Sequence, residues 1–115
     1  MGKFATFATG STELHHLALE GNVEKLKEAL DKHVHLVNAR DVNGWTALHE
    51  AIRTGKADMV ELLLNQGAEV DLRTGAQDDG HSALGLAKFF HGTEHNVTKL
   101  LEAHGAKDYQ AATEL

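Results

Sequence analysis

The chain has 115 residues, no cysteine, and 17 acidic against 11 basic residues, a formal net charge of −6 with histidine neutral. Its length suits one small domain, and without cysteine neither a disulfide framework nor a thiolate metal site is possible. The charge argues against a phosphate-neutralising nucleic-acid binder and reads as a solubility device, while no apolar run approaches the ~20 residues of a membrane span.

In chain order, residues 1–9 read as a loosely tied tail. Met1-Gly2-Lys3-Phe4-Ala5-Thr6 lacks the apolar core of a secretory signal. It does carry a short myristoylation pattern, Gly2 followed by Thr6, which a chance match or a cloned-fragment start would equally produce. The expected location is cytoplasmic or nuclear. Three related stretches then follow, opening at Gly10-Ser11-Thr12-Glu13-Leu14-His15, Gly44-Trp45-Thr46-Ala47-Leu48-His49 and Gly80-His81-Ser82-Ala83-Leu84-Gly85. The period is 34 and then 36 residues (10 to 44, 44 to 80), the spacing of stacked supersecondary units.

The first unit, 10–40, places Thr12 as helix N-cap and Gly21 as stop. Its second helix turns Leu26, Ala29 and Leu30 inward, with Lys25 and Glu28 at positions that are apolar in the middle unit, and His33 where a closing glycine belongs. The second unit, 41–73, is the regular one. Asp41-Val42-Asn43-Gly44 is a turn sequence, Asn-Gly supplying the positive φ angles of a tight hairpin. Thr46 caps a helix whose stripe is Leu48, Ala51 and Ile52, and Gly55 stops it. A second helix over 57–65 carries Val60, Leu63 and Leu64, closed by a left-handed Gly67.

The third unit, 74–106, uses Ser82 as cap, Leu84 and Ala87 as core, and Val97, Leu100 and Leu101 in its second helix. Lys88, Thr98 and Glu102 stand where the middle unit has Ile52, Val60 and Leu64. Its finger is longer by three residues over 72–80, and about two residues are added between its helices over 89–95. Such insertions map to loops that either serve binding or cost little. Residues 107–115 read as a second tail. Two short helices sharing one apolar face need neighbours, and terminal units need a polar outer side. The expected array is therefore complete: an N-terminal cap, one regular unit and a C-terminal cap.

Thr46-Ala47-Leu48-His49-Glu50-Ala51, with alanine where the family has proline, and the Leu-Leu-Leu-x-x-Gly-Ala-x-Val-Asp run over 62–71 closely resemble the ankyrin repeat. The resemblance implies an all-α solenoid of helix-turn-helix pairs with short hairpin fingers at about a right angle. It implies that His15 and His49 hydrogen-bond backbone across the unit junctions. It also implies a protein partner on the concave face, which here comprises Val42, Asn43, Trp45, Arg53 and Thr54 with Asp78, Asp79 and His81, extends to Ser11, Leu19 and Glu20, and has Phe89 and Phe90 as further candidates. Trp45, the single tryptophan, is the expected anchor; the alternative has it packed sideways on the neighbouring finger. Phe89-Phe90 is read as completing the C-terminal cap with one ring buried, since an exposed pair would be an apolar patch needing a partner. Asparagine hydroxylation occurs in such repeats after the valine that closes a finger, and Val37-Asn38 fits that place, with Leu30 eight residues upstream but Leu36 where an acid is usual. The alternative for Asn38 is a finger amide bonded to backbone.

Nine histidines raise a metal reading. His33-x-His35 and His91-x-x-x-His95 have usable spacing, but no further ligand completes either set, and His49-Glu50 has Arg53 where a zinc-protease motif needs histidine. Nucleophile elbows, phosphate loops and dinucleotide fingerprints are absent. The sequence thus leads to a monomeric, non-catalytic protein–protein interaction module without metal or cofactor, with no nucleic-acid or membrane partner. The rival reading is a regulatory or substrate-recruiting segment of a larger enzyme.

Overall fold

The computed structural model describes residues 9–109; the myristoylation pattern and most of both expected tails lie outside them. Six helices follow one another: α1 (Glu13–Glu20), α2 (Val23–His33), α3 (Ala47–Thr54), α4 (Ala57–Asn65), α5 (Ala83–His91) and α6 (Asn96–Ala103), with a 3-10 turn, Val34–Leu36, after α2. The expected caps form. Thr12, Thr46 and Ser82 accept from the backbone N–H of His15, His49 and Gly85 respectively, satisfying donors that a helix start leaves without a partner. Gly55 closes α3 at φ 77°, a conformation that costs glycine little. The first unit has His33 in place of a closing glycine, so no left-handed residue stops α2 and the chain tightens into the 3-10 turn instead.

One local expectation is corrected. Asn43 does not take positive φ; in the second finger only Gly44 does, at 79°. Gly44 N–H donates to the Asp41 carbonyl and Asp41 N–H to the Trp45 carbonyl, while the Asp41 carboxylate accepts from Asn43 and Trp45 N–H at 2.9 and 3.0 Å. The finger is a three-residue loop ending on a left-handed glycine, held by an aspartate turn.

The helices stack in two rows, α1–α3–α5 inside and α2–α4–α6 outside. Leu14, Ala18, Leu48, Ala51, Ile52 and Ala87 of the inner row meet Leu26, Leu30, Met59, Val60, Leu63, Val97 and Leu101 of the outer row in one buried core. Each large side chain buried there contributes about 1.5–3 kcal/mol. Thr98 departs from its reading as part of a polar outer side. It is fully buried, and its hydroxyl donates to the Gly92 carbonyl at 2.7 Å, so the core tolerates it in the place of Val60. Residues 107–109, expected in the tail, are held to the end of the second unit and to the third. Lys107 N–H donates to Asp71, Asp108 pairs with Lys88 at 3.0 Å, and Arg73 lies over the Tyr109 ring.

The junctions carry the polar bonding. Thr12 and Thr46 N–H donate to Nδ1 of His15 and His49, which obliges the other ring nitrogen to bear the hydrogen. Nε2–H of His15 then donates to the Trp45 carbonyl of the second unit at 2.8 Å, and that of His49 to the Leu72 carbonyl at 2.9 Å, where the second unit runs into the third finger. The third unit has Gly85 at this position. Burial lowers the pKa of His49 to about 4 against the raising effect of the Leu72 bond, so the ring is neutral near pH 7. Neighbouring fingers join through Val42 N–H to the Thr9 carbonyl and Gly75 N–H to the Asn43 carbonyl, both 2.7 Å.

Candidate partner-binding face

The second finger and α3 together place Trp45. Its half-buried ring meets His49 edge-on (centroids 5.8 Å apart, 67° between planes), and the Arg53 guanidinium carbon lies 5.2 Å from the ring centroid. Arg53 also reaches the Glu50 carboxylate at 3.2 Å. Glu50 is buried, which raises its carboxyl pKa, with Arg53 opposing that shift. A face of the Trp45 ring is therefore already covered from within its own unit, by His49 and Arg53 of α3. Val42 (57% exposed) and Asn43 project at the finger tip. Thr54 is half-buried, and its hydroxyl is used on the Ala51 carbonyl at 2.7 Å.

The longer third finger is built around Arg73 and Thr74. Arg73 Nε–H donates to the Gly80 carbonyl and Arg73 N–H to the Asp78 carboxylate. Buried Thr74 bonds the His81 backbone through its own N–H and its hydroxyl. Asp78 sits in the left-handed region at φ 58°. Arg40 donates to both its carboxylate and the Arg73 carbonyl, holding the Asp78 pKa below the usual carboxylate range. Asp78, expected to face a partner, is thus largely engaged within the chain, whereas Asp79 is exposed.

His81 stacks on Phe89 (6.5 Å, 18°), which meets Phe90 edge-on (5.1 Å, 74°). Phe89 is 76% exposed and Phe90 42%, so the reading of this pair as buried cap is overturned. The buried side of α5 is formed by Ala83, Leu84, Leu86 and Ala87 instead. Trp45 with Arg53 and His81 with Phe89 are the same two positions in successive units (45 + 36 and 53 + 36); Ser11 and Leu19 occupy them in the first. A finger side chain lying against an inner-helix side chain is therefore a repeated element of this face. Arg40, Glu50 and Arg73, which organise it, were not singled out in the sequence; only the charge pairing of Glu50 with Arg53 three residues on was legible there.

Asn38 bridges units: Nδ2–H donates to the Gly67 carbonyl at 3.1 Å and Oδ1 accepts from Glu69 N–H at 2.8 Å. His91 and His95 stack at 4.6 Å, but His91 Nε2–H donates to the Ile52 carbonyl and His95 Nδ1 accepts from Val97 N–H. Among the described residues no group of three or more histidine, aspartate or glutamate side chains is placed to hold a metal ion, and no helix is long and apolar enough to cross a membrane. A depression of about 280 Å³ lined by Glu13, Leu17, Lys25, Glu28, Ala29 and Lys32 shares no residue with the finger face.

Residues 3–74 match the family described as "Ankyrin repeats (3 copies)". The chain is similar to serine/threonine-protein kinase 12 of Arabidopsis thaliana, 41% identical over 98 residues that cover 85% of this chain and 20% of that protein. It is 35% identical over 96 residues to the NAD-capped RNA hydrolase NUDT12 of Homo sapiens, covering 84% of this chain and 20% of the hydrolase. It is also 33% identical over 92 residues to the ankyrin repeat and SAM domain-containing protein 6 of Mus musculus, covering 80% of this chain and 10% of that protein. The chain thus spans a fifth or less of the length of these relatives.

Proposed function

The chain belongs to the ankyrin-repeat family, and from that premise we propose that it is a non-catalytic, monomeric protein–protein interaction module made of three units, 10–40, 41–73 and 74–106. A protein partner docks on the concave side formed by the fingers and the inner row of helices. The observation that carries this reading is the repeated pairing of Trp45 with Arg53 and His81 with Phe89, which leaves large, incompletely buried side chains on that side. Because unit junctions and finger-to-finger bonds preset the surface, association loses little conformational entropy. A pull-down with wild type, Trp45→Ala, Arg53→Ala and, on the exposed outer face of α4, Glu61→Lys tests it. Weakened capture of the specific partner with either of the first two changes and not with Glu61→Lys supports the reading; loss with Glu61→Lys alone refutes it.

A second reading is favoured by the partial coverage of the relatives: a repeat segment that recruits a substrate or regulator for an enzyme encoded in the same reading frame. Sequencing the full transcript separates the two, since a catalytic domain on the same frame selects the second. Hydroxylation of Asn38 would have to proceed on a side chain whose amide is bonded at both ends.

A further inference from the structure

We propose that the partner's docking segment is a peptide with apolar side chains flanked by lysine or arginine, and that its anchor is the His81–Phe89–Phe90 cluster and not Trp45. This rests on the concave-side reading above. The Trp45 ring is half-buried and has Arg53 over it. Phe89 and Phe90, in contrast, present the largest exposed apolar surface on the inner helices, at 76% and 42%. Paired exposed phenylalanines beside a stacked imidazole are a patch that an apolar side chain can cover without displacing any internal contact.

Charge selects the flanks. The cations of this side are already engaged: Arg53 is shared between the Trp45 ring and the buried Glu50 carboxylate, Arg40 is held on Asp78, and Arg73 on the Asp79 and Gly80 carbonyls. Two exposed acids remain: Asp79, two residues before His81, and Glu20, at the first-unit position equivalent to Thr54 and Phe90 (20 + 34, 54 + 36). Neither has an ion-pair partner among the described residues. The chain as a whole carries −6. A basic flank therefore meets complementary potential at Asp79 and an electron-rich ring face at Phe89, while an acidic flank is repelled.

The test is selection of a random 12-residue peptide library, displayed on phage, against the immobilised 115-residue chain, followed by synthesis of the enriched peptides. The expected result is enrichment of sequences with two or more large apolar residues next to lysine or arginine. Phe89→Ala is expected to weaken their binding at least tenfold, Asp79→Lys several-fold with a reduced salt dependence, and Trp45→Ala by less than Phe89→Ala. Phe89 is exposed, so its variant is expected to melt like wild type, and circular dichroism checks that. Acidic peptides that need Arg53 and ignore Phe89 overturn the inference and leave the concave-side reading standing. Peptides indifferent to Trp45, Arg53 and Phe89 but lost with Glu61→Lys overturn both. No enrichment over bare support overturns the inference.

Discussion

Acidification is expected to destabilise this fold through His49 before the bulk of the carboxylates protonate. The ring is 1% exposed, its Nδ1 is occupied by the Thr46 N–H, and its Nε2–H is on the Leu72 carbonyl. Its pKa falls from 6.5 to about 4 on folding. Because the folded value is the lower one, the unfolded chain binds the proton first. The full contribution is present above pH 6.5 and is lost as pH falls from 6.5 to about 4. At 1.36 kcal/mol per pKa unit, the loss relative to pH 7 is roughly 1 kcal/mol at pH 5.5 and roughly 2 kcal/mol at pH 4.5. Glu50 acts in the opposite sense, since its raised pKa relieves a folding cost as pH falls toward 4.5. The assay must therefore isolate His49. Urea denaturation of wild type and His49→Gln at pH 7.5, 6.5, 5.5 and 4.5 does so, because glutamine keeps one acceptor and one donor but does not titrate. The variant is expected to be less stable at pH 7.5 and to close the gap on wild type by these amounts at low pH. Parallel pH profiles for the two proteins would refute the reasoning.

Three further outcomes follow from named contacts. Gly44→Ala puts a Cβ 2.3 Å from the Gly75 carbonyl oxygen at φ 79°, so it should cost roughly 2 kcal/mol or more in urea denaturation; an unchanged midpoint would contradict the close approach of the fingers. Thr98→Val removes the donor to the Gly92 carbonyl at nearly constant volume and should cost roughly 1–2 kcal/mol, read as a lower melting temperature. Arg53→Ala should cost roughly 1–3 kcal/mol, because it leaves the buried Glu50 carboxylate without its cation, and should shift the fluorescence of the single tryptophan, because the guanidinium over its ring is lost; unaltered emission would place Arg53 elsewhere.

The stacked helix pairs were legible because their signals are local and repeated. Thr12, Thr46 and Ser82 mark helix starts, Gly21 and Gly55 mark ends, and the stripe Leu48, Ala51, Ile52 marks the inner face. What the sequence misjudged depends on contacts between residues far apart in the chain. The burial of Thr98 follows from an acceptor that the inserted loop delivers at Gly92. Phe89 and Phe90 are exposed while Ala83, Leu84, Leu86 and Ala87 form the buried side of α5, and hydrophobicity alone points the other way. Arg40 organises the third finger from 38 residues away, a pairing no spacing rule announces. The candidate face was legible by position, through correspondence between units, but not by the weight of each residue on it.

The most direct test is a backbone amide chemical-shift map of the 15N-labelled chain, recorded with the protein that it most specifically captures. The account predicts shifts concentrated at Val42, Asn43, Trp45, Arg53, His81, Phe89 and Phe90, with the outer helices α2, α4 and α6 left unmoved. Shifts concentrated on those outer helices, with the finger residues silent, would contradict it.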